Sequence, residues 1–73
     1  MDKLTLKIQE LCSRPFVKKK VVERFLLSID VYDMRRAQAE ASLALDSVQR
    51  KWDVYTVQAI EAGIEYIFTE IKK

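Results

Sequence analysis

The chain has no histidine, one cysteine (Cys12), one glycine (Gly63) and one proline (Pro15) in 73 residues. Each shortage excludes something. Without histidine there is no ordinary Ser-His or Cys-His pair to activate a nucleophile. One thiol makes neither an internal disulfide nor a closed structural zinc site, which takes about four Cys or His ligands. So few breakers leave few places to turn, and long helices joined by short links are expected. No run approaches the roughly 18–20 apolar residues that a membrane span requires. The opening Met1-Asp2-Lys3-Leu4 leads into mixed charged and apolar residues, so no signal peptide is expected either.

What remains is a chain that is 49% hydrophobic and 33% charged, too apolar for a disordered segment. A chain of this length buries only about 60% of its unfolded surface, so its stability alone is marginal. With disulfide and metal excluded, regular helix packing or self-association must supply the rest. One domain over residues 1–73 is expected. A lone cysteine suits a reducing compartment, and the cytoplasm or the interior of a host cell follows as the expected location.

Hydrophobic spacing then divides the chain. Leu4, Ile8, Leu11 and Cys12 recur on one face of a first helix from Asp2 to Ser13. Ser13-Arg14-Pro15 interrupts it, and proline suits the first turn of a second helix from about Pro15 to Ser28 or Ile29. Val17, Val21, Val22, Phe25, Leu26 and Ile29 form its apolar face, which Phe16 and Leu27 widen. After the link 29–33, with Asp30 or Asp33 as N-cap, a third helix begins near Met34. Ala37, Ala41, Ala44, Leu45, Val48 and Trp52 keep its rhythm, and Asp46 sits four residues before Arg50 for a surface ion pair. Asp53-Val54-Tyr55-Thr56-Val57 has local strand character but no strand to pair with. It reads as a helix boundary or a continuation, with Asp53 or Thr56 as cap. The fold class predicted is all-α, a small antiparallel bundle of three to four helices.

The fourth helix carries a heptad-like apolar seam: Val57, Ile60, Ile64, Ile67 and Ile71, broadened by Phe68. Such a seam serves either as an oligomer interface or as packing within the same chain. Gly63 sits mid-helix, where glycine costs about 1 kcal/mol relative to alanine. With Ala59 one turn earlier, it offers a strip for close approach, most obviously to Ala41 and Ala44 of the third helix. Glu61 and Glu65 repel at i, i+4 unless lysines of the second helix offset them. Trp52, Tyr55, Tyr32 and Tyr66 are candidate anchors for a protein partner.

A basic cluster, Arg14, Lys18, Lys19, Lys20 and Arg24, suits phosphates or an acidic partner. Residues 1–30 hold seven basic and four acidic side chains, whereas residues 54–73 hold two and three. No Gly-rich loop, zinc-finger spacing or RNA-binding aromatic motif accompanies the cluster. Three consecutive lysines also fan over about 200° of a helix and so do not share one face. Taken together, a non-enzymatic protein-interaction module is expected, acting as a homo-oligomer through its C-terminal helix, with no catalytic, cofactor or metal residues. A small nucleic-acid-binding regulator using the basic second helix is the alternative.

Overall fold

The computed structural model describes residues 2–30 and 32–71, apart from the side chain of Ile71. The described residues are all-helical, with no strand: α1 spans Lys3–Leu11, α2 Lys19–Leu27, α3 Met34–Lys51 and α4 Val54–Tyr66. The backbone then widens into a single π-helical turn over Ile67–Ile71. No helix among these is long and apolar enough to cross a membrane.

Aspartates start three of the four helices. Asp2 Oδ1 accepts from the Thr5 N–H at 2.7 Å, Asp33 Oδ1 from Arg36 N–H at 3.2 Å, and Asp53 Oδ2 from Thr56 N–H at 3.2 Å. Each satisfies a backbone donor that the helix itself leaves open. The ambiguous stretch after Trp52 is therefore a boundary: Trp52 and Asp53 are both extended, and α4 starts at Val54. The link before α3 is fastened by Glu40, whose Oε1 accepts from Asp30 N–H at 2.7 Å.

Helix α2 departs from expectation. It begins at Lys19, four residues after Pro15, and Lys18 provides no side-chain cap. Residues 12–18 form the link between α1 and α2, and proline is as much at home in such a loop as in a first helical turn. Phe16 consequently lies in the loop with φ 71°, in the left-handed region, and its ring is exposed. Leu27 is exposed as well, so neither residue widens the apolar face. Val22, Leu26 and Ile29 are buried, with Val17, Val21 and Phe25 half-buried beside them.

Helix α4 is the hub, packed against α1, α2 and α3. Its seam points inward. Val57, Ile60, Ile64 and Ile67 are buried within the one chain, and Phe68 is half-buried against the same core. Of the expected oligomer interface of Val57, Ile60, Ile64, Ile67, Phe68 and Ile71, the first four residues are thus covered within the single chain, whereas Phe68 keeps part of its surface open. The side chain of Ile71 lies outside the described residues.

Gly63 gives a second correction. A methyl group on its Cα would overlap Leu26 Cδ1 and come within 2.9 Å of Leu26 Cδ2. The close approach is therefore to α2, and the α3 alanines are not its partner. Thr56, Ala59 and Gly63 fall on one stripe of α4 by helical spacing, and all three are buried. Ala37, Ala41, Ala44 and Val48 form the separate buried face of α3. No ion pair joins Asp46 to Arg50 among the described residues; Arg36 and Glu40 pair on α3, at 3.9 Å.

Candidate docking surface at the first loop and the start of the fourth helix

Thr56 is the one buried polar side chain among the described residues, and it organises the most distinctive surface. Its hydroxyl donates to Asp53 Oδ1 at 2.9 Å and accepts from the Lys18 backbone N–H at 3.2 Å. Lys18 Nζ reaches the same Asp53 Oδ1 at 3.3 Å. One threonine and one aspartate thus cap α4 and also pin the end of the 12–18 loop to it. Hydrogen bonding from the Thr56 hydroxyl, reinforced by the Thr56 N–H and by Lys18, holds the Asp53 carboxyl below the ordinary aspartate value.

Above this anchor the loop presents Phe16 beside Tyr55, with ring centroids 5.4 Å apart and planes tilted by 36°. The pair stays open to solvent, with Phe16 73% and Tyr55 52% exposed, and Val54, next to Tyr55 in the chain, is 58% exposed. The energetics of Phe16 are unusual. A bulky residue in the left-handed region costs about 1–2 kcal/mol. A tilted aromatic pair returns about 0.5–1.5 kcal/mol. The two nearly cancel, and so exposed a ring adds little burial, so folding gains almost nothing from phenylalanine at this position. Pro15 marks this loop in the sequence, but nothing in the sequence reports the sign of φ at Phe16.

The basic residues are spread around this end of the molecule. Arg14, Lys18, Lys19, Lys20 and Arg24 are all exposed. Lys18 is engaged by Asp53, and Lys19 Nζ lies 4.0 Å from Glu23. Lys20 and Arg24, one helical turn apart, share a stripe of α2. The α2 lysines therefore do not offset Glu61 and Glu65, which stand exposed with no ion pair among the described residues.

The remaining aromatic candidates differ in kind. Trp52 packs half-buried against the core. Lys7 Nζ sits 5.4 Å above the Tyr66 ring, fastening α1 to the end of α4. Tyr32 is almost fully exposed, in the link before α3. Only Tyr55 belongs to a cluster of exposed apolar side chains, and its partner Phe16 was expected inside.

Burial, with the nearby Glu23 carboxylate, pushes the Cys12 thiol up, which keeps it protonated and a poor nucleophile at neutral pH. Among the described residues no three His, Cys, Asp or Glu side chains gather closely enough to hold a metal ion. An open groove lined by Met34, Gln38, Ser42, Leu45 and Phe68 runs between α3 and the end of α4. No family model matches the chain, and no curated protein or solved structure matches it.

Proposed function

We propose that the chain is a non-enzymatic protein-interaction module, a small adaptor, inhibitor or regulator, that docks a partner protein on the ridge of Phe16, Val54 and Tyr55. The observation supporting this is Phe16: backbone strain is accepted to hold in water a large ring that contributes little to folding. Strained residues concentrate where a surface binds something, and exposed aromatic clusters are the commonest anchors of protein interfaces. The Lys18–Asp53–Thr56 anchor beneath the ridge limits the entropy lost on binding by holding the loop in place.

The bundle is read as antiparallel about α3 and α4, because Met34 at the start of α3 and Phe68 at the end of α4 line one groove. Self-association through the C-terminal end would use Phe68, the described seam residue that stays half-exposed. A reducing interior such as the cytoplasm suits the free thiol of Cys12.

Photo-crosslinking tests the reading. A benzophenone side chain placed at position 16 is expected to give a discrete crosslinked protein in the expressing cell, lost when Tyr55 is changed to serine. The same probe at Leu43, which is equally exposed but lies on α3, is the control. Identical products from both positions sink the proposal. Nucleic-acid binding remains the second reading, favoured by the exposed Lys20–Arg24 stripe, which has no carboxylate partner among the described residues. A duplex held at low salt and released by Lys20→Glu would promote it.

A further inference from the structure

The charge around the ridge narrows the chemistry of its occupant. Four cations lie within the seven residues from 14 to 20 and bracket Phe16: Arg14, Lys18, Lys19 and Lys20. Arg50 and Lys51 close α3 three to four residues before Val54. Three carboxylates at this end are engaged, while Asp46, which lines a cleft with Arg50 and Lys51, has no ion pair among the described residues. Asp53 accepts from Thr56 N–H, Thr56 Oγ1 and Lys18 Nζ, and Glu23 faces Lys19. Glu10, at the end of α1, is held by Lys7 at 3.4 Å. Arg14 and Lys20 have no carboxylate partner among the described residues, so the segment that carries Phe16 has surplus positive charge before and after it in the chain.

We infer that the ridge receives an acidic protein segment, one in which a large apolar side chain is flanked by aspartates or glutamates. The apolar side chain covers Phe16, Val54 and Tyr55, where desolvation supplies affinity. The flanking carboxylates meet Arg14 and Lys20, where opposite charge sets orientation and speeds encounter. Lys18 stays with Asp53, because releasing it would loosen the loop that holds Phe16.

This inference rests on the docking role proposed above, and its test separates the two. Two synthetic peptides are titrated into the full chain by isotope-edited NMR: one of alternating acidic and large apolar residues, the other with Gln and Asn replacing every acid. The acidic peptide is expected to shift Phe16, Val54 and Tyr55, and the neutral one to bind about tenfold more weakly. Phe16→Ser is expected to abolish binding while leaving the melting temperature near that of the parent. Arg14→Glu with Lys20→Glu is expected to weaken the acidic peptide alone. Equal binding of both peptides overturns the acidic chemistry and leaves the docking ridge standing. No shift at the ridge with either peptide overturns both. Ridge-dependent binding to phosphatidylserine vesicles or to a nucleic-acid duplex, with no peptide bound, likewise overturns the inference.

Discussion

Two neighbouring surfaces of α4 use their side chains in opposite ways. Toward α2 it presents Thr56, Ala59 and Gly63, small residues that are completely covered. At its N-terminal end it presents Val54 and Tyr55, large residues that join Phe16 in solvent. Packing is tight where the side chains are small, because Gly63 leaves room for the fully buried Leu26 side chain. The largest exposed rings sit where folding gains least from them. Thr56 joins the two surfaces, buried on the packed side and holding the loop of the open side.

That contrast predicts a graded series of effects. The largest is Leu26→Ala, which empties the contact against Gly63 and should cost about 2–5 kcal/mol in denaturant unfolding, enough to threaten a chain of this size. Gly63→Ala follows. Alanine gains about 1 kcal/mol of helix propensity, but overlap with an immobile Leu26 costs about 1–3 kcal/mol. Net destabilisation is expected in the parent, and the sign should reverse in a Leu26→Ala background, where the added methyl enters empty space. A loss of the same size in both backgrounds would disprove the Gly63–Leu26 contact.

Thr56→Val comes next, leaving the Lys18 N–H without its acceptor at a cost of about 1–2 kcal/mol. The same change alters the acid limb of stability. Asp53 is depressed in the folded chain, so its contribution is complete above the ordinary aspartate value and is lost as pH falls through the lower folded value. Melting curves from about pH 4 downward should therefore fall more gently in Thr56→Val than in the parent. Phe16→Gly should change stability by no more than about 1 kcal/mol, since relief of strain offsets the lost ring pair and the extra freedom of glycine. Its effect should be confined to docking. The smallest change is expected from Glu61→Lys with Glu65→Lys: both glutamates are exposed and without an ion pair among the described residues, so the melting temperature should hardly move.

Most of the scaffold was legible in the sequence. Periodic apolar spacing gave the helices and the buried faces of α1, α3 and α4, because a 3.6-residue repeat depends on local geometry alone. Asp33 and Asp53 were each legible as one of two candidate caps, beside Asp30 and Thr56, since a cap acts on residues two or three positions away. The start of α2 was misplaced because proline is equally at home in a loop and in a first helical turn. The candidate surface was half legible. Tyr55 and the lysines could be named, but Phe16 was assigned to the core because its spacing continued the apolar rhythm of α2.

The sequence by itself determined that this chain is helical, that helices begin near Asp2 and Met34, and that α4 must be covered along one side. Only the tertiary structure decided what covers it. Burial of an apolar stripe is non-directional, so the sequence leaves open what covers the isoleucines, and within the single chain α1, α2 and α3 pack on this helix and bury Ile60, Ile64 and Ile67. Tertiary contacts likewise turned Gly63 toward α2, and joined Lys18 to Asp53 and Thr56 across more than thirty residues of chain. The exposed ridge exists because of that long-range tie, which no local pattern encodes.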